Sequence, residues 1–317
     1  MAHLIESMAY TGQTPWHGLG NLLPAKQSLD IWQQAAGMDW TIEQSDVLYN
    51  VTSDALHIRP FTMSKVLYRS DTLAPLSVVS KRYNVVQPHE VLHFYQDLVQ
   101  AGGFELETAG VLKGGRKLWA LAKTGQNMKL NGGDTVKSYL LLATSCDGTL
   151  CTTAQFTSLR VVCNNTLQMA LNDKADAIKV PHSTKFNPEY VKEVLGLGLA
   201  NWDLFQRNIH ELSHRSVSPT EAIEFFSDLI NDPTDDDGNI VLSRPTLKLQ
   251  ELYQGTGMGS DLVSAKNTAW GLVNAVTEYV DHHRRARSQD NRLDSAWFGQ
   301  GAQLKTLALN RALTLLQ

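Results

Sequence analysis

No apolar run in this chain of 317 residues approaches the roughly 18 that a membrane-crossing helix needs, so a membrane-embedded protein is not expected. The first residues, MAHLIESMAY, lack the basic stretch and apolar core of a secretory signal, and a soluble intracellular protein is expected. Cysteine is scarce. Cys146, Cys151 and Cys163 are an odd number confined to one segment, which offers no disulfide framework and suits reduced thiols in a cytoplasm. Positive charge is not in excess either: the formal net charge is −4, so any attraction to nucleic acid or acidic lipid must come from a local basic patch. The chain has no GxxxxGK phosphate loop to support intrinsic ATP use, and no internal repeat or low-complexity tract.

What is present is a hydrophobic content of 43%, enough for real cores in a chain long enough for two domains. Residues 1–25 lack periodicity and read as an ordered arm, whose Trp16 and His17 are expected to make oligomer contacts. Ser28 to Met38 reads as a short helix. Trp40 to Val51, His57 to Tyr68 and Leu76 to Val86 read as strands, being rich in β-branched and aromatic residues. Pro88 opens a helix to about Ala101, and Gly102-Gly103 ends it. Phe104 to Leu112 and Lys117 to Lys123 form a hairpin around a glycine-containing loop. Val136 to Ser145 and Thr149 to Thr157 form another around Asp147-Gly148, a pair that supplies positive φ at low cost. Phe156, Leu159, Cys163, Leu167 and Ala170 then recur at spacings of three and four, which predicts a helix with one buried face. From about Asn187 the pattern is helical throughout. The expected fold is α+β, a mainly antiparallel sheet with flanking helices followed by an all-helical C-terminal part. The expected organisation is an arm at 1–25, an α+β core at 26–180 and a helical domain at 181–317.

On the predicted helix, Arg160, Asn164 and Gln168 form a stripe four residues apart. Asn costs roughly 0.5 kcal/mol or more in a helix, so a compensating contact is expected. Amides beside an arginine suit phosphates, sugars and base edges, and they suit a buried structural network equally well. Two further basic clusters stand out. Lys113, Arg116 and Lys117 crowd one hairpin tip near Trp119, and Arg284, Arg285 and Arg287 end a predicted helix with Arg292 just beyond. Cations at a helix end offset its dipole by about 0.3–1 kcal/mol, but four arginines exceed what that needs. His89, Glu90 and His93 match HExxH, in which two imidazoles one turn apart grip zinc. The longer form fails because Gln96 and Val99 stand at the later glycine and histidine positions, and surface or interface histidines are the competing reading. The cysteines carry no nucleophile signature and read as small buried hydrophobes. The acidic turn Asp232 to Gly238 lacks EF-hand spacing, because Pro233 stands where a ligand would be needed.

Thr14 to Gly20, Tyr83 to Pro88, Arg160 to Leu167 and Thr268 to His282 resemble the blocks of a phage- and plasmid-borne family, domain of unknown function 932. The resemblance spans nearly the whole chain and implies a mobile-element origin and a bacterial cytoplasm, with no agreed activity. The order helix, sheet, helix is also similar to that of phage single-strand annealing recombinases, which carry nucleic acid on oligomeric rings or filaments without metal or ATP. These features lead to an expectation of single-stranded DNA annealing or protection in recombination or replication. The DNA would lie on Arg160, Asn164, Gln168, Lys113, Arg116, Lys117, Trp119, Arg284, Arg285, Arg287 and Arg292 of a homo-oligomer, with no cofactor. The alternatives are an interaction protein with a host or phage partner, such as a host-defence inhibitor or virion component, and a zinc-dependent hydrolase using His89, Glu90 and His93.

Overall fold

The computed structural model describes residues 5–12, 20–51, 57–101, 103–160, 162, 165–168, 177–198 and 202–317. Contacts divide the chain into two interleaved units. One comprises Met1–Gly125, Leu140–Gln155 and Ala177–Leu195, and the other Gln126–Tyr139, Phe156–Asp176 and Gly196–Gln317. The fold is α+β. Among the described residues no helix is long and apolar enough to cross a membrane.

The first unit contains strands β1 (Ile5–Thr11), β2 (Asn21–Leu23), β3 (Ile42–Asn50), β4 (Ile58–Arg69), β5 (Pro75–Ser80) and β6 (Glu105–Leu112). It also holds parts of β7 (Lys117–Lys129), β8 (Thr135–Ser145) and β9 (Thr152–Arg160), whose remaining residues belong to the second unit. Its larger sheet runs β9-β8-β7-β6-β1-β2, and its smaller one β3-β4-β5. Part of the expected N-terminal arm therefore supplies sheet strands: β1 pairs antiparallel with β6, placing Ala9 opposite Ala109, and parallel with β2. Trp16 and His17 lie outside the described residues. Leu140, Leu141 and Leu142 in β8 are all buried, so both faces of this strand are covered, and each such side chain contributes about 1.5–3 kcal/mol.

Three short helices accompany these sheets: α1 (Leu29–Ala35), α2 (Pro88–His93) and α3 (Gln96–Ala101). The single helix expected from Pro88 is broken at Phe94 and Tyr95. Both are buried there, and the Tyr95 hydroxyl lies within hydrogen-bond distance of Ala120 O at 2.8 Å and Leu140 O at 3.0 Å. The hairpin loop before β7 turns through Gly114 and Gly115, whose φ angles of 69° and 100° favour glycine. Gly115 also sits too close to Trp40 and Leu76 for a Cβ to fit easily, the nearest approach being 3.0 Å.

In the segment expected to form the striped helix, residues 156–160 and 165–168 are instead extended. β9 continues to Arg160 and pairs antiparallel with β10 (Asn165–Gln168), with Arg160 opposite Asn165 and Leu167 opposite Ser158. Thr152, Thr153, Phe156 and Thr157 favour a pleated strand, and pairing with β8 and β10 overrides the three-and-four spacing of the apolar residues. A last strand, β11 (Ile178–Val180), pairs with β9 inside the first unit.

Helix α4 (Pro188–Gly198) leads into the second unit's α5 (Trp202–His214), α6 (Pro219–Ile230), α7 (Arg244–Glu251), α8 (Ala269–Glu278), α9 (Gln289–Phe298) and α10 (Gln300–Thr314). All ten residues of α8 are buried, and it packs against α5, α10 and β10. The local sequence explains its start. Thr268 caps it by accepting the Gly271 N–H at 3.1 Å, and a Cβ at Gly271 would lie 2.0 Å from Ala265 O. Helix α6 begins with a full capping box between Ser218 and Glu221 and ends at Asn231, in the left-handed region at φ 59°.

Candidate nucleic-acid interface

Of the expected stripe, Arg160 is placed in the interior of the second unit, with 2% of its side chain exposed. Its Nε donates to both carboxylate oxygens of Asp134 at 2.9 Å, and its Nη2 donates to Gly259 O at 2.9 Å. Ser264 Oγ and Trp270 Nε1 also donate to Asp134 Oδ2, at 2.7 and 3.3 Å. Two opposite charges are thereby taken out of water together, with their remaining polar valences met by neighbours. Such an arrangement is tolerable only when complete. Burial thus corrects the expectation that Arg160 lines a strand path: its donors are spent inside the protein. Asn164 lies outside the described residues. Gln168 is in β10, a strand packed against α8 and α10.

At the hairpin tip in the first unit, Arg116 is exposed and Lys113 half-buried, with φ 56°. Lys117 and Trp119 point inward and are buried, which corrects the expectation that they contact nucleic acid. Four clustered residues in sequence therefore yield two surface cations, because Lys113 and Arg116 lie in the turn while Lys117 and Trp119 lie in the part of β7 where consecutive side chains are buried.

The arginine cluster of the second unit is arranged differently. Helix α8 widens into a π-helical turn, Tyr279–His283, that ends as Arg284 N–H donates to Tyr279 O. Beneath it Lys305 Nζ donates to Asp281 Oδ1 at 2.9 Å, both side chains being almost wholly buried. Burial depresses the Lys305 pKa, and the Asp281 carboxylate opposes that shift. Glu278, also buried, accepts the Met258 N–H at 2.9 Å and lies 3.6 Å from His283. At the start of the following loop Arg284 Nη2 donates to Gln300 Oε1 at 3.2 Å, and beyond the loop, in the first turn of α9, Arg292 Nη1 donates to His282 O. Ser288 caps α9 through the Asn291 N–H at 3.2 Å. Between these anchors Arg285 and Arg287 are exposed. Among the described residues, Arg284 Nη1 and Arg292 Nε are buried donors without an acceptor. The stretch from Arg284 to Arg292 holds four arginines against one aspartate, so it is a cationic loop running into the first turn of α9 within a chain of net charge −4.

HExxH lies on the one short helix α2. Glu90 is occupied by the helix cap, its Oε2 accepting the Gln87 N–H at 2.7 Å. The His89 and His93 rings meet edge-on with centroids 6.0 Å apart, and His93 Nδ1 faces Gln96 Oε1 at 3.0 Å. No group of three or more His, Cys, Asp or Glu side chains among the described residues is arranged to hold a metal ion. Cys146 is buried, and that burial followed by the Asp147 charge pushes its pKa up to about 12, which disfavours a nucleophilic thiolate. Sequence reading missed a cavity of about 620 Å³ in the first unit, whose lining includes Trp32, His93, Gln96, Gln100, Phe104 and Glu105. The spacing of Gln96 and Gln100 on one helical face was its only local signal.

The fold defines an α+β protein whose second unit is dominated by helices, and the site geometry singles out a cationic loop. The chain belongs to the family of the domain of unknown function DUF932, whose model matches residues 75–297. The match covers the smaller sheet's β5, the HExxH helix, the Arg160 network and the arginine loop. No curated protein and no solved structure matches the chain.

Proposed function

We propose that this chain binds single-stranded DNA, as a phage- or plasmid-encoded protein acting in the cytoplasm of a bacterial host in recombination or replication. The observation that carries this reading is the arginine loop. Arg285 and Arg287 are presented to solvent two residues apart, on a segment fixed by Arg284 at one end and Arg292 at the other. Guanidinium groups held this way suit successive phosphate oxygens, which position a strand without reading its sequence. Annealing and protection both need that sequence-tolerant grip, and neither needs bound metal or ATP. The original eleven-residue surface is narrowed accordingly: Arg160, Lys117 and Trp119 support the core, and Arg116 remains a separate exposed cation of the first unit.

Fluorescence anisotropy of a labelled oligonucleotide, titrated with protein over a salt series, tests the proposal. Binding is expected at low salt, with log K falling linearly against log salt by about 0.7 for each phosphate contacted. Absence of binding at low salt, or binding indifferent to salt, contradicts it.

A further inference from the structure

Within the first unit, the sheet β3-β4-β5 leaves the outer side of β3 without a neighbouring strand among the described residues. The Val51 N–H donates to His57 O at 3.1 Å, which sets the phase of the β3–β4 ladder. Backbone groups alternate sides along a strand, so Val47, Tyr49 and Val51 turn theirs toward β4, while Gln44, Asp46, Leu48 and Asn50 turn theirs outward. Ile42 obeys the same alternation, and the Gln87 side chain bonds its outward N–H at 2.8 Å and its C=O at 3.1 Å. From Gln44 to Asn50 no comparable cap is present among the described residues. Strand edges are ordinarily blunted by lysine or proline, and β3 contains neither. The other rim of the hairpin is blunted: Pro60, opposite Leu48, faces outward with no N–H to donate. Exposed apolar residues gather on both strands: Leu48, Tyr49 and Val51 on the β3 side, and Ile58, Phe61 and Met63 on β4.

We propose that β3 pairs antiparallel with β3 of a second copy, about a twofold axis at Leu48. A head-to-tail arrangement would use the proline-blunted rim, whereas a twofold pairs the two unblunted edges and closes the assembly. This register matches outward-facing residues with outward-facing ones, setting Leu48 against Leu48 and Asp46 against Asn50. It extends an apolar row on each face, since Leu48 already stands opposite Pro60 and Val47 opposite Phe61, and Val47 would next meet Tyr49 of the second copy. Charge favours it as well, because an axis at Asp46 would bring two aspartates face to face, each already held by Lys81 of its own copy at 2.7 Å. Gln44–Val51 and Ile58–Met63 offer fewer residues than the roughly 20–30 that a standard interface uses on each side, so the dimer is weak and concentration-dependent.

Sedimentation velocity over a concentration series, without nucleic acid, tests the interface while leaving the arginine loop intact, so its failure is distinct from failure of the DNA reading. The wild-type chain is expected to show a monomer–dimer equilibrium. Leu48→Lys sets two cations opposite each other and is expected to be monomeric with an unchanged thermal midpoint. Asn50→Lys, facing Asp46, is expected to tighten the dimer by about two- to thirtyfold, and Asn50→Asp to weaken it by a similar factor. A wild-type monomer at every concentration, a dimer that persists in Leu48→Lys, or equal affinities for Asn50→Lys and Asn50→Asp overturns the proposal.

Discussion

Arg160 shows how far a single side chain can mislead until its surroundings are known. A residue and its fourth neighbour share a face in a helix, and they also share one in a strand, where every second residue does. The spacing of Arg160, Asn164 and Gln168 therefore never distinguished the two, and Asp134, its partner 26 residues away, carries no local signal of the pairing. The ion pair makes a specific prediction. Arg160→Met leaves a buried carboxylate uncompensated and should cost about 3–5 kcal/mol by urea denaturation, whereas adding Asp134→Leu should restore part of that loss, the remainder being the cost of leaving Ser264 and Trp270 without their acceptor. If the double variant is no more stable than the single one, the pair is not acting as a mutually neutralising unit. Glu221 supplies the pH counterpart. The Ser218 N–H, first, and then Arg215 hold its pKa down at about 2 against an ordinary 4.5. A carboxylate with a depressed folded pKa contributes stability that is full above 4.5 and lost as pH falls through about 2. Glu221→Gln should flatten the acid limb of the stability profile across that interval.

At the level of elements, much of the pattern was legible. Turn chemistry located the Lys113–Arg116 and Asp147-Gly148 hairpins, and proline marked the start of α2. What escaped was long-range pairing: the end of β9, from Phe156, and β10 read as a helix because apolar spacing alone cannot register a neighbouring strand. The break at Phe94–Tyr95 is tertiary in the same sense, fixed by where buried side chains must reach. Helix α8 is the element most constrained by packing. Gly271→Ala would drive a Cβ into Ala265 O, and a loss of about 1–3 kcal/mol or more is expected in thermal or urea unfolding. Gly114→Ala, whose Cβ would enter open space, carries only the backbone cost of about 1–2 kcal/mol for its positive φ.

For the whole molecule, composition places the burden of any polyanion binding on local patches, since a net charge of −4 gives no general attraction. The candidate site was legible as a cluster of arginines but not as a surface. Only the anchoring of Arg284 and Arg292 separates the two guanidiniums turned to solvent from the two that hold the loop. That division is the central claim, and one measurement addresses it most directly: the salt dependence of oligonucleotide binding in Arg285→Ala/Arg287→Ala compared with wild type. Loss of two phosphate contacts should weaken binding at low salt and make the slope of log K against log salt shallower by about 1.4, with the fold unchanged by circular dichroism. A double variant that binds with the wild-type slope would contradict the assignment of the arginine loop.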